Sequence, residues 1–427
     1  MHELDLDSAS AQIANHFERA GHSAEAYRWH LRAGRHAQVA DAPETAIWHY
    51  QKALLFLPPE DKGYHKIELY ERLGGLQRIR VHFTQAREAY EQMALAAELA
   101  GDLAAQTKAL IGVAQVQDSE ANYRGSLESA QRVERLASMI GAPAQAEQAI
   151  ALSIQGLAYY RLGMAEDALR LADAALAVSD ALGSEGRRQK ARSLNLLGAI
   201  HTMLGNHERA RADREQALVL FREVGDHVWI GHILNNLGEV ARHRGNYQEA
   251  LPYYEEALKV AERIGNLEGE AVYRCNLGGA LIRLDRQEAA VVELRKALAV
   301  SQTGYWVSEA YSFLGEALLR QRRADEALHA GLAALESGRQ TNARESLGIA
   351  WRVMGMIIAQ RGERAAIDGT LVDPIACFSE SARILAEIGA ETERLDTLRE
   401  WAQYDAAQGV VSLIAPAEPA AGKTLAP

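Results

Sequence analysis

Residues 234–266 read LNNLGEVARHRGNYQEALPYYEEALKVAERIGN. The dipeptide Gly-Asn occurs at 245–246 and again at 265–266, where it is suited to ending a helix. Between these points, apolar residues recur at three- and four-residue steps from Leu251 to Leu258, with charged residues on the opposite side. The stretch therefore predicts two amphipathic helices joined by a short turn.

The same pattern recurs along the chain at an interval of about forty residues. A small residue marks each unit, at Gly74, Ala114, Gly156, Gly198, Gly238, Gly278, Gly315 and Gly355, with intervals of 40, 42, 42, 40, 40, 37 and 40. In seven of these eight units another small residue follows twelve positions later, as Ala250 does, and an apolar residue follows seven beyond that, as Ala257 does. Because these spacings are nearly constant over eight units, they predict a structural repeat.

The spacing has a physical reason, because two antiparallel helices pack closely only where small side chains lie at their crossing. Each helix pair must then bury its remaining apolar face on the next pair. The expected fold is all-α, a right-handed superhelical α-solenoid of stacked antiparallel helix pairs. The low content of proline (9 residues) and of aromatic residues (6%) agrees with a chain that is helical nearly throughout.

With Leu234, Gly238, Ala250, Tyr254 and Ala257 in these positions, the chain resembles the tetratricopeptide repeat family. The usual unit of that family has 34 residues, so units of about forty imply longer helices. The resemblance also implies a concave groove that is formed by the first helix of each unit and that binds a protein or peptide.

Both ends of the array resemble those of one group of regulators. Residues 10–21, SAQIANHFERAG, are similar to the entry into the C-terminal repeat region of large bacterial regulators, and residues 376–402 are similar to its closing helices. In those regulators a DNA-binding or cyclase module and a signal-transducing NTPase domain come first. The resemblance implies a sensor or interaction module of a bacterial signalling or transcriptional regulator. An upstream NTPase domain or a second copy of the chain would be further partners.

The array is expected to have irregular ends. We expect irregular repeat-like helices over residues 1–60, the regular array over 61–389, a capping helix over 390–409 and a disordered tail over 410–427. Residues 362–374 interrupt the last unit and predict an inserted loop.

Composition excludes several classes of function. Lys+Arg 46 against Asp+Glu 57 gives a net charge of −11, which argues against nucleic acid as a direct partner. The chain has neither a signal-peptide pattern at its start nor a long apolar run, so we expect a cytoplasmic protein without membrane contact. Cys275 and Cys377 are far apart and outside any CxxC pattern, which favours buried thiols over a disulfide or a zinc site.

Catalytic motifs are absent from the sequence. It contains no HExxH, no GxSxG and no strand-associated GxGxxG. Residues 421–424, AGKT, imitate the end of a phosphate-binding loop, but Ala417 stands where its first glycine would be. We therefore expect a non-enzymatic protein without catalytic residues or a cofactor.

The candidate site is the polar face of the first helices. Asn195 and Asn235 occupy one repeat position, and Asn236 and Asn276 the next. Because asparagine is a mediocre helix former, and because a carboxamide both donates and accepts hydrogen bonds, a ladder of asparagines suits a peptide main chain. The predicted groove residues are Arg192, Asn195, His232, Asn235, Asn236, Glu239, Arg242, His243, Asn276 and Arg283. Arg192, Arg242 and Arg283, with Arg320 and Arg352, would pair with acidic groups of that peptide.

Other interpretations stay open. The asparagines could instead bond neighbouring helices within the stack, or face water. A metal site at His232, Glu239 and His243 lacks a convincing third ligand shell, so we expect no metal. The alternative function is a receptor for a short signalling peptide or small ligand that changes the curvature of the solenoid.

Overall fold

A computed structural model describes residues 6–40, 42–58, 63–80, 82–300, 306–341 and 343–409. These residues form twenty α-helices and one two-stranded β-hairpin. The chain divides into two compact units, Met1–Val224 and Gly225–Pro427. None of the described helices is long and apolar enough to cross a membrane. The tail predicted at 410–427 lies outside the described residues.

The first unit consists of consecutive helix pairs. Its helices are α1 (Ser10–Arg19), α2 (Ser23–Val39), α3 (Pro43–Leu55), α4 (Tyr64–Ile79), α5 (Phe83–Ala100), α6 (Leu103–Ser119), α7 (Tyr123–Ile140), α8 (Gln145–Arg161), α9 (Ala165–Ala181), α10 (Arg187–Met203) and α11 (His207–Glu223). A short 3₁₀ turn, Ala142–Ala144, precedes α8. Each helix packs on the next, and first helices of adjacent pairs also touch, as α4 and α6 do.

The second unit continues the same arrangement. It contains α12 (His227–His243), α13 (Tyr247–Ile264), α14 (Leu267–Arg283), α15 (Gln287–Val300), α16 (Trp306–Arg320), α17 (Ala324–Gln340), α18 (Arg344–Arg361), β1 (Ala365–Ile367), β2 (Thr370–Val372), α19 (Pro374–Glu387) and α20 (Glu391–Ala407). The predicted fold class, an all-α solenoid of stacked helix pairs, is confirmed in each unit.

Glycine ends helices where the sequence predicts it, and a capping asparagine begins the next helix. Gly265 ends α13 in the left-handed region, with φ +67°, a conformation that most residues with a side chain avoid. The next residue, Asn266, begins α14, and its Oδ1 accepts a hydrogen bond from the Gly269 amide at 3.0 Å. Two adjacent residues therefore end one helix and start the next.

The repeat offsets correspond to the packing inside each helix pair. Gly238 of α12 lies against the ring of Tyr254, sixteen residues later on α13, and a Cβ on Gly238 would come within 2.5 Å of that ring. The residues twelve positions after the reference residue are fully buried: Ala86, Ser126, Ala168, Ala210, Ala250, Ala290 and Ala327. The marked residue therefore sets how closely the two helices approach.

One further unit follows the same offsets near the start of the chain. Gly34 of α2 lies against Tyr50, sixteen residues later, and a Cβ would come within 2.5 Å of its ring. Ala46 and Ala53, at offsets of twelve and nineteen, are fully buried. This unit lies within residues 1–60, which sequence analysis placed outside the regular array.

The inserted segment before α19 is a hairpin, where the sequence analysis expected a loop. Ala365 pairs with Val372 and Ile367 with Thr370. The two turn residues, Asp368 and Gly369, have φ values of +52° and +76°. Positive φ at both central positions suits the twist of a two-residue hairpin, and Asp-Gly is a common sequence for that turn.

We expect opposite effects from alanine at two adjacent glycines of α4. A Cβ on Gly74 would lie 2.8 Å from the Tyr90 ring, whereas a Cβ on Gly75 would meet only the Tyr90 hydroxyl, at 3.9 Å. Gly74→Ala should destabilise the protein by about 1–3 kcal/mol through overpacking. Gly75→Ala should stabilise it by about 0.5–1 kcal/mol through helix propensity. Thermal and denaturant unfolding measure the stability of both variants. Equal changes in the free energy of unfolding would contradict the packing described.

Candidate functional site

The predicted groove residues lie on three helices of two units. Arg192 and Asn195 lie on α10 in the first unit. The other eight lie in the second unit: His232, Asn235, Asn236, Glu239, Arg242 and His243 on α12, and Asn276 and Arg283 on α14. The second unit therefore holds the main part of the predicted site.

Side chains of α12 and α14 bond to each other across adjacent repeats. Asn276 Nδ2 donates to Asn235 Oδ1 at 2.8 Å, and Tyr273 Oη lies 3.1 Å from His232 Nδ1. Asn235 is nearly buried. For Asn235 and Asn276 the structure thus shows the bonding between neighbouring helices that was the alternative to a peptide contact.

Glu239 forms a tight group with two neighbours. Arg242 donates to Glu239 Oε2 from Nε at 3.0 Å and from Nη2 at 2.6 Å, and Tyr254 Oη donates to Oε1. Burial disfavours the carboxylate, but the charge of Arg242 and the hydrogen bonds from Arg242 and Tyr254 outweigh it and lower the pKa of Glu239. Burial and the Glu239 charge together raise the pKa of Tyr254. The group is therefore a charged, hydrogen-bonded link between α12 and α13.

The metal alternative finds no support in these contacts. Both oxygens of Glu239 hold Arg242 and Tyr254, and Nδ1 of His232 faces Tyr273. Within the described ranges, no three His, Cys, Asp or Glu side chains are grouped so that they could hold a metal ion. The two cysteines are free and buried.

The other arginines of this face also pair with glutamates of the chain itself. Arg283 and Arg320 both donate to Glu316, at 2.7 and 2.8 Å. Arg352, which is almost fully buried, donates to the Glu393 carboxylate at 2.8 Å. The sequence analysis assigned these guanidinium groups to acidic groups of a peptide. Intramolecular carboxylates pair with these guanidinium groups in the structure, and their contact with a peptide stays a prediction.

Acidic side chains that the sequence analysis did not identify lie on the same face. Glu309 of α16 is half-buried, and burial raises its pKa to about 7. Arg242 opposes this shift, whereas the carboxylates of Glu239, Glu345 and Glu393 add to it. Four helices, α12, α16, α18 and α20, therefore place acidic groups within electrostatic reach of one another.

Three acidic side chains of this face have no cation of their own. Among the described residues, no ion pair or hydrogen bond involves the carboxylates of Glu309, Glu345 or Glu400. Glu400 is half-buried, whereas Glu345 is more exposed. Partial desolvation and a neighbouring carboxylate raise the pKa of each, and nearby arginines oppose the shift. We call Glu309, Glu345 and Glu400 the unpaired acidic groups. They give the face an excess of negative charge.

We expect Tyr254→Phe to destabilise the second unit by about 1–2 kcal/mol, because it removes a donor from the partly buried Glu239 carboxylate. Tyr90 occupies the same repeat position, and its hydroxyl has no hydrogen-bond partner among the described residues. Tyr90→Phe is therefore the matched control and should leave stability nearly unchanged. Urea unfolding of both variants tests this, and equal losses would contradict the assigned bond.

The repeats match a known family. Residues 147–223 and 229–303 match the sequence profile described as tetratricopeptide repeat. The first stretch covers nearly all of α8–α11 and the second most of α12–α15. The tetratricopeptide resemblance is thereby confirmed for these helix pairs.

The chain is also similar to a curated regulator. It is 29% identical over 230 residues to the regulatory protein AfsR of Streptomyces griseus. The match covers 54% of this chain and 22% of that protein, so the chain spans about a fifth of the relative it matches.

Solved structures share the fold at low sequence identity. One is the Signal Transduction ATPase with Numerous Domains protein with a tetratricopeptide repeat sensor, PH0952 from Pyrococcus horikoshii, at TM-score 0.57 and 15% identity, covering 91% of this chain and 55% of that one. Another is the apo quorum sensor NprR from B. thuringiensis, at TM-score 0.53 and 16% identity, covering 87% and 98%. A Rap protein complexed with competence and sporulation factor has TM-score 0.50 and 14% identity, covering 82% and 98%. The resemblance to the repeat region of signalling regulators is confirmed.

Proposed function

We propose that the chain is a non-catalytic module that binds a protein or peptide on the face formed by α12, α14, α16, α18 and α20. Its repeats belong to a type used for such interactions. Its similarity to a regulatory protein and to a signalling ATPase with a repeat sensor supports a role as the sensor or interaction part of a bacterial regulator.

The observation that carries the proposal is the excess of carboxylates over cations on this face. Arg242 and Arg352 each pair with one glutamate, and Arg283 and Arg320 share Glu316. These four arginines therefore pair with three glutamates, and the three unpaired acidic groups raise the number of carboxylates to six. A carboxylate that is partly removed from water is costly unless a cation or hydrogen-bond donor compensates it. The preferred ligand is therefore a peptide segment with lysine or arginine side chains, which would provide that compensation.

The asparagines would have a second task in this arrangement. The bond between Asn276 and Asn235 uses one N–H and one oxygen, and each carboxamide has further hydrogen-bonding capacity. This bond fixes the side chains on the face before a ligand arrives. Side chains held in this way can bond a peptide main chain with little loss of rotamer entropy.

We expect binding of cationic peptides to strengthen as the pH rises from 6 to 8. Glu309 has a pKa of about 7, so it is mostly protonated at pH 6 and mostly charged at pH 8. For acetylated hexapeptides rich in lysine and arginine and free of histidine, the affinity should rise about threefold to tenfold over this range. Fluorescence polarisation measures it, with aspartate- and glutamate-rich peptides of equal length as the comparison.

Two variants make this test specific. Glu309→Gln should remove most of the pH dependence, because glutamine has no proton to lose. Glu255→Gln, at an exposed position of α13, is the matched control and should keep it. Equal affinity for cationic and acidic peptides, or a full pH dependence in Glu309→Gln, would reject the acidic face as the binding surface.

The asparagines need a separate variant. We expect the double substitution Asn235→Ala and Asn236→Ala to weaken every bound peptide about tenfold, whatever its charge, if the carboxamides hold the main chain. Circular dichroism and the melting temperature show whether the variant is folded. An unchanged affinity in a folded variant would leave these two residues with a purely structural role.

The second candidate function is a receptor whose ligand changes the curvature of the array. It is favoured by the fold shared with NprR, a quorum sensor, and with a Rap protein solved with competence and sporulation factor. Small-angle X-ray scattering with and without a bound peptide separates the two functions. A change in the radius of gyration supports the receptor, and an unchanged profile supports a rigid scaffold.

A further inference from the structure

A cavity of about 440 Å³ lies in the first unit against α2, α4 and α6. This volume is in the range of small-ligand pockets. The helices that form it are distinct from α12–α20 of the site proposed above. Whatever binds here therefore does so through a different set of residues.

Two glycines and a tyrosine form part of the cavity wall. Gly75 of α4 and Gly112 of α6 present only backbone to the cavity. Tyr90 of α5 lies next to both: a Cβ on Gly112 would come within 2.6 Å of its ring, and one on Gly75 would come 3.9 Å from its hydroxyl. Tyr90 is 9% exposed and lines the cavity.

The Tyr90 hydroxyl differs from its counterparts in other units. Tyr50 and Tyr254 occupy the same repeat position, and their hydroxyls donate to Gln38 and Glu239. The residue equivalent to Glu239 in the unit of Tyr90 is Gly75, which has no acceptor side chain. No described residue forms a hydrogen bond with the Tyr90 hydroxyl. The cavity therefore contains a nearly buried polar group that lacks the partner its counterparts have.

The remaining lining is apolar, or consists of paired charges and the uncharged carboxamides of Gln38 and Gln115. Ile79 is 71% exposed, and together with Leu76 and Ile111 it gives the cavity its apolar part. The charged residues pair among themselves, Lys108 with Glu71 at 2.6 Å and Arg72 with Glu68 at 3.0 Å. A ligand therefore needs apolar surface and a hydrogen-bonding group, but no net charge.

We propose that this cavity binds an aromatic ring that has a hydrogen-bonding group on its edge, a phenol or an indole. A planar ring can lie against the backbone at Gly75, where a Cβ would meet only the Tyr90 hydroxyl, at 3.9 Å. Its edge group would exchange a hydrogen bond with the Tyr90 hydroxyl, which can both donate and accept. The isoleucines would cover the apolar remainder of the ring.

The first experiment tests the hydroxyl. We expect p-cresol to bind the full chain with a dissociation constant of about 1 mM, in the weak range usual for so small a ligand. Toluene, which lacks the hydroxyl, should bind at least fivefold more weakly in ligand-observed NMR titrations. Tyr90→Phe should remove this difference without lowering the melting temperature, since the hydroxyl has no partner in the fold.

The second experiment fills the cavity. Gly75→Leu places a side chain where a Cβ meets only the Tyr90 hydroxyl, at 3.9 Å, so the variant should fold and lose p-cresol binding more than tenfold. Gly101→Ala, at the end of α5, lies outside the cavity lining and should change stability but not binding in the folded fraction. No saturable binding of p-cresol by the parent chain, or undiminished binding by folded Gly75→Leu, would overturn the proposal.

Two sets of ligands show whether the aromatic ring belongs to a polypeptide or to a free small molecule. N-acetyltyrosinamide and the peptide Gly-Gly-Tyr-Gly-Gly represent a tyrosine side chain of a polypeptide, and p-cresol and indole represent free small molecules. Tighter binding of the pentapeptide than of p-cresol assigns the cavity to a polypeptide partner. Tighter binding of the free phenol or indole assigns it to a small metabolite.

Discussion

The structure depends on one position in each helix pair where the first helix has almost no side chain. At Gly238 and Gly34 the partner helix puts a tyrosine ring where a Cβ would otherwise lie. Because this contact fixes how closely the two helices approach, the alanines at offsets of twelve and nineteen become fully buried. Because each helix pair has the same internal geometry, its remaining apolar face lies in the same place in every unit. Successive units of about forty residues can therefore stack in the same way.

The residue directly after that glycine determines much of the local chemistry. Glu239 binds the tyrosine hydroxyl and an arginine, and so ties α12 to α13 by charge. Gly75 in the same position leaves the hydroxyl of Tyr90 without a partner and lines a cavity. Gly279, again in that position, lies against Phe313 of the next unit's first helix. The helix packing is the same in these units, and the residue after the glycine decides whether an ion pair, a cavity or an aromatic contact forms there.

Sequence reasoning predicted the features that depend on residues near each other in the chain. Helix pairing, the end of α13 at Gly265 and the offsets of the buried alanines all follow from local spacing. The hairpin at Asp368 was not predicted, although Asp-Gly is a common hairpin turn, because strands of three residues are too short to show an alternating pattern. The grouping of Glu309 with Glu345 could not be predicted. These residues are six and ten positions before their own reference glycines, so the repeat alignment does not place them together.

The net charge of a groove cannot be predicted from the residues of one helix, because arginines on one helix pair with glutamates on another. Arg242, Arg283, Arg320 and Arg352 each pair with a glutamate of the same or a neighbouring helix, and an excess of carboxylates remains. Burial, with that excess adding to it, raises the pKa of Glu309 to about 7. A cation that binds beside it must lower this pKa, and by linkage must release a proton as it binds. Ligand affinity and proton affinity at Glu309 are therefore two measures of the same electrostatic cost, which the fold leaves uncompensated until a partner arrives.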